Sequence, residues 1–182
     1  MGRRRTIDRD KVLDAAEATV STVGAGGLTI DAVAKAAGIT KGGVQYCFGN
    51  KDGLIDAMIE RRFNEFDSAV ADKVGDATDP VTAMRAHVEV TARLNTAENA
   101  RTTGMMAALL QREDHMEKNR VWYRGRLDSL DLSTDEGRRA RLAFLAAEGT
   151  FLLRSFGFAE MDDAEWRDIF ADIVALVPKK PA

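Results

Sequence analysis

The sequence predicts an all-α protein of about nine helices, with a three-helix unit at the N-terminus and a larger helical domain after it. Apolar residues recur at helical spacing in nearly every segment, and most of these segments begin at a capping residue or end at a glycine. No segment shows the alternating pattern of a half-buried strand. The chain has 182 residues, of which 45% are hydrophobic and 30% charged, so it can form a sizeable core.

The first predicted helix covers Asp8–Val23. Its expected buried side consists of residues at helical spacing, namely Val12, Ala16, Thr19, Val20 and Val23. The preceding residues 1–6 contain three consecutive arginines and no apolar core of a signal peptide. Two interpretations of this segment stay open with equal weight: an arm that contacts phosphate, and a solubilising tail.

Two short helices and the start of a third are predicted between residues 28 and 54. Thr29 is a suitable N-cap for the first helix, which Gly38 ends, and Thr40 is a suitable N-cap for the second, Lys41–Phe48. Val44 and Phe48 form the inward face of that second helix. Two helices that cross over a short glycine turn make a helix-turn-helix, whose second helix can enter the major groove of DNA.

The distribution of charge favours the same interpretation. Residues 32–51 contain three lysines and no carboxylate, in a chain with 29 acidic residues. Residues 1–51 carry eight Lys/Arg and five Asp/Glu, whereas residues 52–182 carry eighteen and twenty-four. A surface that approaches phosphates needs cations, because the release of counterions supplies most of the non-specific affinity. A basic N-terminal part on an acidic body is therefore typical of a DNA-binding domain joined to a regulatory one.

The larger domain is predicted to contain the remaining helices. Ser133–Glu136 reads as a capping box, and the helix that follows it is apolar almost all round, which indicates burial on more than one side. The predicted segments are Lys51–Val74, Pro80–Asn95, Met105–Gln111, Glu113–Leu130, Thr134–Phe156 and Asp163–Val177.

The segment Leu28–Leu54 resembles the DNA-binding domain of the TetR family of bacterial transcriptional regulators. The match covers about a third of the chain, from residue 7 to residue 60. The residues that carry it are Thr29, Ile30, Val33, Ala34, Ala37, Gly38, Ile39, Thr40, Lys41, Gly42, Val44, Phe48, Asn50, Lys51, Asp52 and Leu54. The chain departs from the family pattern at Gln45, where a tyrosine that contacts phosphate is usual, and at Gly43.

This resemblance implies a ligand-responsive regulator, most directly a repressor, that binds an operator as a homodimer. Domains are expected at residues 1–50 for DNA binding and 51–182 for effector binding and dimerisation. Gln45 is expected to read a base, since glutamine pairs in a bidentate manner with adenine. The residues expected to contact DNA are Thr29, Thr40, Lys41, Gly42, Gly43, Gln45, Tyr46 and Lys51.

The resemblance also implies an effector cavity and a dimer seam in the larger domain. Adaptable Met and aromatic side chains suit an irregular apolar ligand, although the same residues would make an ordinary core. The cavity residues are expected to be Met84, His87, Met105, Leu109, Trp122, Tyr123 and Phe151, with Arg101 and Gln111 as further polar candidates. The seam of a four-helix dimer interface is expected at Leu145, Leu152, Ile169, Phe170 and Ile173.

Other function classes are less favoured by the sequence. It shows no nucleophile elbow, phosphate-binding loop or metal-ligand pair, so we expect no enzyme, no cofactor and no metal. No apolar run approaches the ~18 residues of a membrane span, and the single cysteine, Cys47, suits the cytoplasm and reads as inert. Two alternatives remain: a helical small-molecule-binding protein whose helix-turn-helix is only structural, and an architectural DNA-binding protein without sequence preference or cavity.

Overall fold

The computed structural model describes residues 7–76, 79–94, 99, 102–103 and 113–177, without the side chains of residues 113–115. Within these ranges the chain forms eight α-helices and no strand, which confirms the all-α prediction. The helices are α1 Arg9–Val23, α2 Ile30–Ala37, α3 Lys41–Phe48, α4 Lys51–Val74, α5 Pro80–Thr91, α6 Glu113–Asp128, α7 Asp135–Ser155 and α8 Asp163–Ala175. The helix predicted at Met105–Gln111 lies outside the described residues.

The chain divides into two compact units, and the division falls inside α4, between Phe63 and Asn64. The first unit contains α1, α2, α3 and the first half of α4. In it, α2 packs against both α1 and α3. The core of this unit consists of side chains that are almost fully buried: Val12, Leu13, Ala16, Val20, Leu28, Val33, Val44, Leu54, Ile55, Met58 and Ile59.

An ion-pair network in the first unit explains why an acidic residue lies in its core. Glu17 of α1 is buried, and Arg61 of α4 donates hydrogen bonds to it from Nε and Nη2. The Nη1 atom of Arg61 donates to Asp14 at 2.8 Å and to the carbonyl of Asp10 at 3.2 Å. Burial of Glu17 is therefore compensated by a guanidinium that also ties α1 to α4. By contrast, Val23 was expected on the buried side of α1, but it is 58% exposed.

The second unit contains the second half of α4 together with α5, α6, α7 and α8. Helix α5 packs against α7 and α8, which also pack against each other. Arg85 of α5 donates to the carbonyls of Val174 and Val177, and so satisfies carbonyl groups at the end of α8. The indole N–H of Trp166 in α8 donates to the carbonyl of Ala92 at 2.9 Å, just beyond the end of α5.

The end of α5 and the start of α7 differ from the sequence prediction. Helix α5 ends at Thr91 rather than at residue 95. Helix α7 is capped by Thr134, whose hydroxyl accepts from the N–H of Gly137 at 3.0 Å, and not by Ser133. The reason is that the N–H and hydroxyl of Ser133 both donate to Oδ1 of Asp131, which forms a local turn before the helix. In the described part of the chain, no helix is long and apolar enough to span a bilayer.

Candidate nucleic-acid interface and ligand site

The turn between α2 and α3 has the geometry of a helix-turn-helix. Gly38 adopts the left-handed conformation (φ 66°, ψ 31°), which glycine reaches without strain. Its N–H donates to the carbonyl of Lys35, and the N–H of Ile39 donates to the carbonyl of Ala34, a Schellman arrangement that ends α2. The Thr40 hydroxyl then accepts from the N–H of Gly43 at 3.1 Å and starts α3. Thr29 caps α2 in the same way through the N–H of Ala32.

Helix α3 has a buried face and a bare face. Val44 and Phe48 are buried, as the sequence predicts. The Tyr46 ring is 87% exposed, an unusual position for a large aromatic side chain unless it meets a partner. Gln45 and Gly42 are exposed beside it.

Gly43 does not belong to that bare face. It is buried, and a Cβ at this position would lie 3.1 Å from Cδ1 of Ile7 and 3.4 Å from Cδ1 of Ile39. Its N–H is already used by the Thr40 cap. Gly43 therefore allows α3 to pack closely against the residues before α1, and we omit it from the DNA contacts proposed below.

Lys41 forms an ion pair that the linear charge pattern does not reveal. Its Nζ lies 2.8 Å from Oδ2 of Asp31, the residue immediately before the acid-free stretch, and both side chains are more than half exposed. The tight turn brings the first turns of α2 and α3 together. One carboxylate is therefore adjacent to the positive N-terminus of α3.

A second tight turn sets the start of α4. Gly49 has φ 76°, and Asn50 accepts from the N–H of Gly53 at 2.9 Å. A Cβ on Gly53 would lie 2.2 Å from the carbonyl oxygen of Phe48, so only glycine allows this approach. Lys51 stands half-buried at the first position of α4, where its charge adds to the positive helix terminus.

Arg9 holds α3 in position, a role that the sequence analysis did not predict. Its Nη1 donates to the carbonyl of Cys47, and its guanidinium carbon lies 4.6 Å from the centroid of the Phe48 ring. A cation at the C-terminal end of α3 stabilises the exposed carbonyls there. Arg9 therefore fixes α3 against α1. A cleft of about 300 Å³ lies near the other end of α3, lined by Ile7, Asp8, Lys11, Val12, Ala37, Gly38 and Ile39.

Three of the residues expected in the effector cavity meet in the second unit. His87 is 2% exposed, and its ring centroid lies 5.9 Å from that of Trp122, which in turn lies 5.0 Å from that of Tyr123. Phe66 and Phe144 join them, with ring centroids 4.7 Å and 4.9 Å from that of His87. Met84 and Phe151 are buried. Met105, Leu109, Arg101 and Gln111 lie outside the described residues.

Glu148 of α7 is the polar centre of this aromatic cluster, and the sequence prediction did not name it. Its Oε1 lies 2.8 Å from Nε2 of His87, and its Oε2 accepts from the Tyr123 hydroxyl at 2.6 Å. Burial, with the Glu148 carboxylate second, raises the pKa of Tyr123 above its ordinary 10.0, so the phenol keeps its proton. A single glutamate in an otherwise apolar stretch of α7 was the available signal.

Arg126 of α6 occupies the other side of the cluster. Its guanidinium carbon lies 3.3 Å from the centroid of the Trp122 ring, and its Nη2 pairs with Asp67 of α4. Its Nε donates to Nδ1 of His87 at 3.4 Å, a long hydrogen bond. Nδ1 is then an acceptor, which leaves the hydrogen on Nε2 to point at Glu148. Burial lowers the pKa of Arg126 below its ordinary 12.5, and Asp67 and Glu148 oppose that effect.

The residues expected at a dimer seam divide into two groups. Leu145 is 51% exposed, and Leu152 and Ile169 are half-buried. Phe170 and Ile173 are buried inside the protomer, and the ring centroid of Phe170 lies 4.4 Å from that of Trp166. Both have almost no free surface, so neither can contribute to a seam between two protomers. Two further leucines of α7 are exposed, Leu142 and Leu153.

Comparisons with known proteins bear on both units. Residues 12–58 match the N-terminal model of the bacterial regulatory proteins of the tetR family, and residues 81–178 match the Tetracyclin repressor-like C-terminal domain. The chain is 34% identical over 84 residues to the HTH-type transcriptional regulator BetI of Stenotrophomonas maltophilia, an alignment that covers 46% of this chain and 43% of that protein. The chain thus spans less than half the length of the curated relatives it matches.

Solved structures agree with the fold. SmeT, the repressor of the Stenotrophomonas maltophilia multidrug efflux pump SmeDEF, has a TM-score of 0.68 at 22% identity over 93% of this chain and 90% of that one. The multidrug binding protein EbrR, solved with malachite green, has a TM-score of 0.68 at 20% identity over 97% and 100%. At such identities the likeness shows the fold alone. The family assignment rests on the two matched regions, of which the C-terminal one alone covers more than half of the chain: this protein belongs to the TetR family.

Proposed function

We propose that this protein is a sequence-specific DNA-binding transcriptional repressor, which acts as a homodimer and leaves its operator when a small-molecule effector binds in the second unit. The observation that carries the proposal is the bare face of α3, on which Tyr46 is 87% exposed while Val44 and Phe48 fix the opposite face in the core. A helix anchored on one side, with aromatic and amide side chains free on the other, suits the major groove.

The contacts with DNA divide by chemistry. Lys41 and Lys51, at the first positions of α3 and α4, supply phosphate contacts together with the helix N-termini. Gln45 supplies base readout, and the exposed Gly42 lets the backbone approach closely. The hydroxyls of Thr29 and Thr40 accept from backbone N–H groups as caps, and each can still donate its hydrogen to a phosphate oxygen.

The second unit supplies the effector site and the dimer interface. A few polar groups converge on its aromatic cluster, and aromatic side chains with a few such groups are typical of small-molecule sites. The likeness to SmeT, a repressor, and to EbrR, a multidrug binding protein, supports a ligand-responsive regulator. Helix α4 offers the mechanical link, because Arg61 belongs to the first unit whereas Phe66 and Asp67 belong to the second unit and contact its aromatic cluster. An effector that prefers the DNA-free arrangement by ~1.4 kcal/mol changes operator occupancy about tenfold.

Fluorescence anisotropy with DNA from upstream of the protein's own gene tests the proposal. The control is shuffled DNA of the same length and base composition, and both are titrated at several salt concentrations. A repressor should prefer the upstream DNA and show a salt-dependent affinity. Equal binding to both would indicate an architectural protein. Absence of binding to either would indicate a ligand-binding protein whose helix-turn-helix is only structural.

A further inference from the structure

The most informative feature outside the nucleic-acid interface is the position of the Arg126 guanidinium. Its central carbon lies over the Trp122 ring, 3.3 Å from the ring centroid, and the guanidinium forms an ion pair with Asp67. The Trp122 indole N–H also donates to the two Asp67 oxygens, at 3.3 and 3.2 Å. Ring and carboxylate thus hold each other in place, and together they form a seat for a planar cation.

In the described part of the chain, the carboxylates around this seat outnumber the guanidinium groups. Among the described residues, the titratable groups that face the cluster are Asp67 on α4, His87 on α5, Tyr123 and Arg126 on α6, and Glu148 on α7. Nδ1 of His87 accepts a hydrogen bond from Arg126, and Tyr123 keeps its proton. Within the described ranges, the two carboxylates of Asp67 and Glu148 thus face one guanidinium. A second cation would be favoured here, whereas an anion would have to displace or neutralise a carboxylate in a low-dielectric site.

The arrangement also allows exchange. The Arg126 side chain is 21% exposed and stands on a flexible stem, whereas the Trp122 ring has edge contacts with Phe66 and Tyr123. A guanidinium can therefore leave towards solvent while the aromatic seat stays in place. Asp67 is itself 46% exposed, so the seat is open to a ligand at that edge.

We propose that the seat formed by Trp122 and Asp67 is the cation subsite of the effector site, and that an organic cation with an apolar or aromatic body binds there by displacing Arg126. This inference rests on the proposed function, because it assigns a charge to the effector of that regulator. Arg126 then acts as an internal substitute for the ligand. Its release removes its bonds to His87 and to Asp67 of α4, the helix that continues into the first unit.

Isothermal titration calorimetry with three probes of matched shape tests the charge: benzamidinium, benzamide and benzoate. We expect the wild-type protein to bind benzamidinium about tenfold or more tightly than benzamide, and benzoate most weakly. Asp67→Asn should weaken benzamidinium binding about tenfold and leave benzamide unchanged. Asp128→Asn on the same unit is the matched control, because Asp128 pairs with Arg124 on the exposed side of α6 and should change nothing.

The Arg126→Gln variant distinguishes displacement from direct recognition. If Arg126 competes with the ligand, its removal should tighten benzamidinium binding roughly threefold or more, since no guanidinium of this residue then has to be displaced. Arg124→Gln, on the exposed side of the same helix, should leave the affinity unchanged. Circular dichroism confirms the fold of each variant, and Arg126→Lys, which keeps the charge but not the planar group, should give an intermediate affinity.

Two results would overturn the inference: a preference for benzoate that Arg126→Gln abolishes, and absence of any preference for benzamidinium over benzamide in the wild-type and Arg126→Gln proteins. Binding of upstream DNA is measured on the same preparations. DNA binding without the cation preference refutes this inference alone. The cation preference without DNA binding refutes the proposed function alone.

Discussion

Nζ of Lys41, at the start of α3, lies 2.8 Å from Oδ2 of Asp31, at the second position of α2. In the free protein, the lysine best placed to meet a phosphate is therefore held by a carboxylate. Exposed pairs of this kind contribute about 0–1 kcal/mol, so the bond is weak enough for DNA to replace it. The pair still lowers affinity, because Lys41 must leave Asp31 and the carboxylate then faces the DNA backbone.

Replacing Asp31 should for this reason strengthen DNA binding. We expect Asp31→Asn to raise affinity for all sequences by about 0.5–1 kcal/mol, roughly two- to fivefold. Lys41→Ala should act in the opposite direction, weaken binding to all sequences and reduce the salt dependence by about one charge per subunit. Anisotropy titrations at several salt concentrations measure both effects. A gain of the same size in the Lys41→Ala background would show that Asp31 acts by repulsion alone and that the pair is irrelevant.

Gln45 should behave differently from the lysines. Gln45→Ala removes one bidentate base contact and should relax the preference at one base pair per half-site by about 1–3 kcal/mol, with little change in salt dependence. Lys51→Ala is the comparison, since it should weaken binding evenly across operator variants. Competition between single-base operator variants provides the measurement. A uniform loss on Gln45→Ala would mean that this side chain holds phosphate.

The Arg61–Glu17 pair should dominate the stability of the first unit. Arg61→Met leaves a buried carboxylate without its guanidinium and should lower the free energy of unfolding by about 3 kcal/mol. Glu17→Gln in the Arg61→Met background removes the charge and should recover part of the loss. Arg120→Met is the matched control, because within the described residues Arg120 pairs only with the exposed Glu117, and this variant should cost under about 1 kcal/mol. Urea unfolding followed by circular dichroism measures the free energy of unfolding of all three variants. A small loss of stability in Arg61→Met would show that the Arg61–Glu17 pair does not dominate the stability of the first unit.

The raised pKa of Tyr123 predicts that the folded protein loses stability at alkaline pH. This pKa is raised in the folded protein, chiefly by burial and then by Glu148, so the unfolded phenol ionises first. The stability that the protonated, buried Tyr123 contributes is fully present below the ordinary pKa of 10.0, and it is lost as the pH rises above that value. The Tyr123→Phe variant lacks the ionisable group, and its stability should therefore fall less steeply than that of the wild type above that pH. If the stabilities of the wild type and of Tyr123→Phe, measured by urea unfolding, fall equally steeply with pH, the buried environment assigned to Tyr123 is wrong.

The sequence predicted the periodic features well, and the long-range ones poorly. The caps at Thr29 and Thr40 and the inward Val44 are local consequences of spacing and side-chain chemistry. Contacts such as Lys41 with Asp31, or Arg9 with the carbonyl of Cys47, depend on how helices cross, which periodicity does not encode.

The aromatic cluster of the second unit shows the same limit. Aromatic residues on α6 pointed to a site, and His87 and Trp122 do meet there. Glu148 and Arg126 were missed, because a charged residue in a helix is ordinarily solvated and only its neighbours in the fold make it central. The buried positions of Phe170 and Ile173 likewise depend on which face of α8 meets α5 and α7.

The exposed leucines of α7 predict how two copies assemble. Leu142 and Leu145 are 57% and 51% exposed, and Gly149, where an added Cβ would meet no atom within 4 Å, lies further along the helix. We propose that this stripe, continued by Leu152, Leu153 and Ile169, is the seam of the homodimer, since an apolar row beside a small residue allows a symmetry-related helix to pack closely.

Leu145→Glu places two carboxylates in that seam and should convert the dimer to a monomer in sedimentation velocity at micromolar concentration. Val121→Glu is the matched control, because Val121 is 64% exposed on α6, outside the stripe, and this variant should remain dimeric. The Leu145→Glu monomer should also bind operator DNA much more weakly, since two half-sites about one helical turn apart, ~34 Å, are then no longer read together. A wild-type protein that sediments as a monomer would refute the homodimer, whereas a Leu145→Glu variant that remains a dimer would place the interface elsewhere.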